Sequence, residues 1–372
     1  MRRFRVAIVG TGGIAAIHAE NLAKLDGRAD IVAAADPDEE RLADFCERWS
    51  VPARYRDLPE LLGNERVDLV HLCTPPGVHK EQALTCLAAG VNVLCEKPPA
   101  LSLADMDEIA AAEHAGGARF ATVFQHRFGS AAANLRRLLG TGALGRPLVA
   151  VCNTLWYRPA DYFTAPWRGT WGHEGGGPTM GHGIHQFDLL LSVLGEWSEL
   201  TAVAARQDRP TETEDLSCAL VRFANGAVAT VINSLLSPRE TSYLRFDCER
   251  ATVELEHLYG YNDGNWTVTP APEEEGVLTD WAKGALGHAS GHAAQFDAVF
   301  AALEAGEALP VTTAHARDTL ELVAATYASA FSGQPVRRGE IASDSPHYRR
   351  MEGAGPPWPL PSSHAQRQEA GT

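Results

Sequence analysis

An acid and a lysine close a short apolar run at residues 91–98, Val-Asn-Val-Leu-Cys-Glu-Lys-Pro, which is entered from Gly90 and stopped by Pro98 and Pro99. If the run is a strand of an open α/β sheet, Glu96 and Lys97 stand at its carboxyl end, where such sheets hold ligands. An amine placed there can move a proton, as a base when neutral and as an acid when charged. Free lysine, with a reference pKa of about 10.4, is a poor base at neutral pH, but burial beside a positive charge disfavours the ammonium and lowers it. The bland alternative is a solvated lysine that merely closes a strand. What separates the two is whether a cofactor lies beside Lys97.

A cofactor site is legible at the start of the chain. Residues 4–9 are apolar and β-branched, run into Gly10-Thr11-Gly12-Gly13-Ile14-Ala15, and are followed by a helical pattern over residues 16–25. Strand, glycine turn and helix in that order are the context a dinucleotide fingerprint requires, with Ala15 in the third small position. Gly10 permits the tight turn, and Gly12 lets the backbone approach a pyrophosphate on the helix N-terminus. The next strand, 30–35, ends in Asp36, at about the twenty-odd residues onward where an acid meets the adenosine ribose hydroxyls. A carboxylate there repels a 2′-phosphate, so NAD is expected ahead of NADP, although NADP is possible. Asp36 can equally cap the helix that begins at Pro37. Thr74 and Pro75, after the strand 67–72, are expected to border the cofactor, and Gln125 and Arg127, after the strand 119–123, its nicotinamide.

Six strands separated by helices over residues 1–124 predict a doubly wound parallel sheet, a Rossmann domain. Alternating strands follow at 148–155, 200–206, 216–223, 228–235, 243–246 and 252–256, with hairpin signals such as Asn225-Gly226. They predict an α+β domain over residues 125–345 with an open, mostly antiparallel sheet and helices at 292–304 and 314–331. Residues 346–372 read as an irregular tail. A long loop between the strand 148–155 and Gly175 is dense in aromatic and arginine side chains. Tyr157, Arg158, Trp167 and Arg168 are expected near a ligand, since aromatic faces suit a sugar ring and arginine offers forked donors, although such aromatics can also simply pack an interface.

With 372 residues and a formal charge of −15, the chain is a poor partner for nucleic acid, whose phosphates require a basic face. Its seven cysteines are scattered and contain no C-x-x-C pair, which fits a reducing cytoplasm. No run reaches the ~18 apolar residues of a membrane span, and the N-terminus shows no signal-peptide pattern, so the protein is expected to be neither exported nor anchored.

Three blocks in order resemble the glucose-fructose oxidoreductase / inositol dehydrogenase (Gfo/Idh/MocA) family. They are residues 10–18, residues 74–98 with His79 and Glu96-Lys97-Pro98, and Gly175-Gly176-Gly177 followed by Gly183-Ile184-His185 and Asp188. The resemblance extends to Tyr327-Ala328-Ser329-Ala330 in a late helix. It implies NAD(P)-linked oxidation or reduction of a hydroxyl-bearing carbon on a sugar or cyclitol, and homodimers or homotetramers built through the open sheet. It adds His79 and Glu96 to the cofactor-binding set, makes Lys97 and His185 the proton carriers, and puts both beside the substrate. One departure stands out. Many members carry an aspartate four residues before the histidine, and here that position is Gly181, with His182 beside it. Three readings stay open: Lys97 and His185 suffice alone, His182 replaces the carboxylate, or the reaction differs from simple alcohol oxidation. His182, His185 and Asp188, at i, i+3 and i+6, share a helix face that mimics metal ligands, but a polar face beside a cleft is the commoner reading and no metal is expected. Two other functions fit the same residues: a redox-neutral sugar-modifying reaction through a transient ketone on retained NAD, and a non-catalytic NAD-binding regulator.

Overall fold

The computed structural model describes residues 3–25 and 27–359. The chain forms two compact units, one of Met1–Ala100, Asp105–Gln125 and Gly291–Arg317, the other of Leu101–Ala104, His126–Ser290 and Asp318–Thr372.

Among the described residues, the first unit is built on six parallel strands, β1 (Phe4–Val9), β2 (Ala29–Ala35), β3 (Ala53–Tyr55), β4 (Leu69–Leu72), β5 (Asn92–Cys95) and β6 (Phe120–Thr122), in the order β3-β2-β1-β4-β5-β6. A parallel sheet covered on both faces needs strands that are apolar throughout, and every residue of β4 is buried accordingly. Register then sets the site. Val9 pairs with Ala35 and with Leu72, Leu72 with Cys95, and Cys95 with Thr122. The residues that follow each strand, Gly10, Asp36, Cys73-Thr74 and Glu96-Lys97, therefore leave one edge of the sheet side by side.

The helix His292–Ala305 belongs to this unit, which corrects the expectation that residues 125–345 form one continuous second domain. Its apolar face, Phe296, Val299 and Phe300, is buried in the same core as Phe4, Val6, Leu69 and Leu94, and Phe300 stacks on Phe4 with ring centroids 5.0 Å apart. Helical periodicity reveals which face of a helix is apolar but not which sheet covers it.

Among the described residues, the second unit is built on β7 (Pro147–Tyr157), β8 (Trp197–Ala205), β9 (Leu216–Phe223), β10 (Val228–Ser234), β11 (Leu236–Cys248), β12 (Ala251–His257), β13 (Trp266–Pro270) and β14 (Val336–Arg337). Their order is β13-β12-β11-β7-β10-β9-β8-β14, with β10 and β7 parallel and the other neighbours antiparallel. Burial alternates along β9, so one face is core and the other open. On the open face Val149, Val203 and Leu220 are exposed. The strand β13 and the helix Gly276–Ala282 were not expected from the sequence; both are short, and β13 offers only Trp266 to the core.

The expected tail is partly docked. Met351 is buried, and the Trp358 indole donates to the Glu212 carbonyl at 2.9 Å while its ring meets Phe331 edge-on. Residues 360–372 of that tail lie outside the described residues. All seven cysteines are free. Among the described residues, no helix is long and apolar enough to cross a membrane.

Candidate active site

In the first unit the glycine turn has the geometry a pyrophosphate cradle requires. Gly10 sits at φ +83°, and a Cβ there would lie 2.9 Å from the Cys73 carbonyl, so only glycine lets β1 turn against β4. A Cβ at Gly12 or Gly13 would meet nothing within 4 Å, leaving the approach to the backbone open. The helix Gly13–Ala23 starts with no side-chain cap, so its first N–H groups, from Gly13 and Ile14 onward, are offered to an anion. These residues fit a dinucleotide.

Asp36 lies beside the turn and is held hard. Its carboxylate accepts from the Thr11 N–H at 2.8 Å, the Thr11 hydroxyl at 3.0 Å, the Asp38 N–H at 2.9 Å, and Arg41 through Nη2 at 2.6 Å and Nε at 3.2 Å. Burial opposes its ionisation, but these donors prevail and its pKa falls below the usual aspartate value. The helix Glu39–Trp49 is capped by Asp38 instead, whose side chain accepts from the Arg41 N–H. Thr74 is half-buried with its hydroxyl on Gln82 at 2.6 Å, and Pro75 is exposed at the same strand end. His79 is fully buried, its two ring nitrogens each 2.8 Å from a carbonyl oxygen, of Pro98 and of Thr74, so that it ties the loops after β4 and β5 together.

Glu96 turns inward. One carboxylate oxygen lies 2.8 Å from His18 Nε2 and 3.3 Å from His292 Nε2, and the other accepts the Lys97 N–H at 3.1 Å. His18 Nδ1 meets His71 Nδ1 at 2.9 Å. Burial lowers the pKa of both histidines, so both rings are neutral and the protons can be placed. Ionised Glu96 only accepts, hence His18 Nε2–H donates to it. The bare His18 Nδ1 then accepts from His71 Nδ1–H, and the bare atom left over is His71 Nε2, which is the ring nitrogen with no hydrogen-bond partner. Burial pushes Glu96 toward protonation, but the bonds from His18 and His292 hold its pKa well below the ordinary range.

His18, Glu96 and His292 bring three ligand atoms within 4.8 Å. Tetrahedral zinc bonds of about 2.0–2.1 Å separate ligand atoms by roughly 3.3 Å, so the 2.8 Å between His18 and Glu96 is the spacing of a proton. No motif spacing announces this cluster, because its three members come from three separate parts of the chain. Beyond it, half-buried Lys97 leaves β5 at the edge that carries Gly10, Asp36 and Thr74, and Gln125 is buried after β6.

In the second unit the glycine block is held by a residue the sequence reading missed. Glu214 is fully buried and accepts from the N–H groups of Gly177 at 3.0 Å and Thr179 at 3.1 Å and from the Tyr327 hydroxyl at 2.8 Å. A Cβ at Gly177 would lie 2.0 Å from the Glu214 carbonyl oxygen, which explains the glycine. Burial pushes the Glu214 pKa up to about 7.

The helix Ile184–Leu194 carries His185 and Asp188, both buried. The His185 ring lies 4.9 Å from that of His126, which also packs against Tyr261 at 4.6 Å and Tyr259 at 5.0 Å. His126 and Tyr259 were not singled out by the sequence, although His126 stands between Gln125 and Arg127, which were. Half-buried His182 sits edge-on to Trp156 at 5.1 Å, and a Cβ on Gly181 would meet nothing within 4 Å. Asp188 is the counter-ion of Arg127, which grips it through Nε at 2.8 Å and through Nη2. Arg127 is thus committed to a buried carboxylate. At the end of β7 and in the loop after it, Arg158 lies over Trp156 and Tyr162 and Arg168 over Tyr162 and Trp167, while Arg209, from the connection between β8 and β9, lies over Tyr157. Trp156, Arg158, Tyr162, Arg168 and Trp167 thus alternate ring and cation in one stack.

Residues 4–124 match the oxidoreductase family with an NAD-binding Rossmann fold, and residues 132–254 match the GFO/IDH/MocA C-terminal domain. The chain is 30% identical over 239 residues to myo-inositol 2-dehydrogenase of Thermotoga maritima, covering 62% of this chain and 68% of that one. It is 27% identical over 368 residues to D-apiose dehydrogenase of Paraburkholderia graminis, covering 93% and 92%. Among solved structures it is similar to the WlbA dehydrogenase of Bordetella pertussis in complex with NADH and UDP-GlcNAcA, with a TM-score of 0.80, 26% identity, and coverage of 90% of this chain and 98% of that one. The cradle at Gly10, the parallel sheet that presents it and these matches over both halves agree: the chain belongs to the Gfo/Idh/MocA family and is an NAD(P)-dependent dehydrogenase acting on CH–OH groups.

Proposed function

We propose that this protein moves a hydride between NAD and a hydroxyl-bearing carbon of a sugar, sugar derivative or cyclitol, with Lys97 and His185 handling the hydroxyl proton. When bound, the nicotinamide accepts or supplies the hydride. The observation that carries the reading is the register of the first sheet, from which Lys97 leaves the same strand edge as the glycine turn and Asp36. A lysine there takes the hydroxyl proton in oxidation and returns it in reduction. His185, a buried ring among His126 and Tyr259, is the second carrier, with His182 beside it. Tyr157, Arg158, Trp167 and Arg168 supply an aromatic and cationic surface suited to a sugar ring and its hydroxyls. The seven free cysteines support a cytoplasmic setting, and the apolar open face of the second sheet supports a homodimer or homotetramer.

The test is a panel of sugars, uronates and inositols with NAD, followed at 340 nm, together with Lys97→Met. The variant is expected to keep NADH affinity, read by nicotinamide fluorescence, and to lose about 10²–10⁴-fold in turnover. Unchanged turnover removes Lys97 from the mechanism. Substrate conversion without net NADH release would point to a redox-neutral reaction instead.

A further inference from the structure

Glu214 is fully buried, and the partners that hold it are neutral. Its Oε2 accepts from the Gly177 N–H, and its Oε1 from the Thr179 N–H and the Tyr327 hydroxyl. Tyr327 is itself pushed far up in pKa by burial, so it keeps its proton and stays a donor. The Thr179 hydroxyl passes on to Ser217, and Asp215, next in the chain, spends its carboxylate on the N–H groups of Gln207, Asp208 and Arg209. The unfolded chain ionises a glutamate near its reference value of about 4.3, whereas the fold ionises Glu214 only near 7. The group therefore supports the fold at acid pH and costs stability as pH rises through that window. A residue kept for folding alone has no reason to carry that cost at neutral pH.

What Glu214 holds leads to the site. Gly177 and Thr179 open the helical turn Pro178–Gly181, which closes through the Gly181 N–H on the Gly177 carbonyl and the Gly183 N–H on that of Pro178. The Gly183 carbonyl then accepts from Gln186 and Phe187 in the helix that carries His185. The path is packed tightly at both ends: a Cβ on Gly176 would lie 2.2 Å from the Tyr327 hydroxyl, and one on Gly183 2.0 Å from Asn233 Oδ1.

We propose that Glu214 is a positioning residue for dehydrogenation: only its ionised carboxylate seats Gly177, Thr179 and Tyr327 together, and so sets the turn that places His185. A proton on it brings a fourth hydrogen among three donors, and one of them loses its acceptor. Glu214 thereby adds an ionisation to the acid side of the activity, next to that of the histidine. The inference rests on His185 handling the hydroxyl proton as proposed above.

Profiles of kcat/KM against pH for alcohol oxidation, with two variants, test it. Glu214→Gln turns an NH2 group toward a backbone N–H in either orientation. It is expected to lower kcat roughly 10- to 100-fold, to leave NADH affinity unchanged, and to remove one ionisation from the acid limb. Tyr327→Phe keeps the shape and takes one donor from the carboxylate, so it should move that ionisation to higher pH by about half a unit to one unit. Acid limbs identical in all three proteins overturn the proposal. Two readings need no sugar. The unaltered protein should lose stability relative to Glu214→Gln between about pH 5 and about pH 8 in denaturant titrations. The proton NMR signal of the His185 ring should show a step near pH 7 that both variants displace. If both appear while no sugar is oxidised, the assigned reaction fails and the placing of His185 by Glu214 stands. A stability difference independent of pH, or a His185 signal that neither variant moves, overturns the proposal.

Discussion

At the scale of single residues, the open question moves from Lys97 to Gly181. The family resemblance leads one to expect an aspartate there, and the structure shows space for it, since a Cβ meets nothing within 4 Å. Gly181→Asp is therefore expected to fold with a stability change within about 0.5 kcal/mol, checked by thermal melts. A carboxylate beside His182 favours the protonated imidazole, so the lower limb of the kcat/KM against pH profile should move to higher pH by about half a unit to one unit. A limb that stays put would show that neither nearby histidine titrates in the rate-determining proton transfer. Some roles at this scale were legible in residue types: Gly10 as a turn only glycine makes, and Asp36 as an acid beside it. The commitments of Arg127 to Asp188, of Glu96 to His18 and His292, and of Arg41 to Asp36 were not, because each depends on a partner brought by folding.

At the scale of elements, the parallel strands and their helices follow closely from apolar runs and turn residues, since parallel strands buried on both faces have the strongest sequence signature. The buried His71 in the middle of β4 breaks that signature and has a cost that depends on pH. Its pKa in the folded protein is well below the reference 6.5, through burial and then the neighbouring His18. A depressed pKa means that the unfolded chain binds the proton first, so stability is intact above about pH 6.5 and is lost progressively as pH falls toward the folded value. Glu96, also depressed, adds to the loss at lower pH. His71→Met should remove the first part of this dependence. Between pH 7.5 and 5, its stability relative to the unaltered protein is expected to improve by up to about 2 kcal/mol, measured by denaturant titration at each pH. A stability difference constant across that range would mean that His71 takes up its proton in the fold at the same pH as in the unfolded chain.

At the scale of the whole molecule, the open face of the second sheet carries Val149, Val203 and Leu220 exposed. Register aligns Val203 with Cys218, Leu220 with Thr201 and Thr230, and Val149 with Val228, so exposed apolar residues of β8, β9 and β7 share one surface, with half-buried Val228 of β10 between them. Monomeric proteins rarely leave such a patch to water. Val203→Lys combined with Leu220→Lys is expected to halve the mass measured by light scattering or further, with NADH affinity unchanged because the first unit is untouched. An unaltered mass would place the interface elsewhere, and a monomeric parent protein would remove the need for one.

The sequence by itself determined the local vocabulary of this protein: the glycine turn, the acid at ribose distance, the strand that ends in Glu96-Lys97, and the alternation that makes the second sheet one-sided. These depend on period and on backbone freedom, which neighbouring residues specify. Only the tertiary structure decided that the helix His292–Ala305 returns to the first core, that His18, His71, His292 and Glu96 share protons, that Glu214 holds the glycine block, and that Arg41 closes over Asp36. Contacts between residues far apart in the chain follow from shape complementarity and from the need of each buried polar group for a partner, and a linear reading supplies neither.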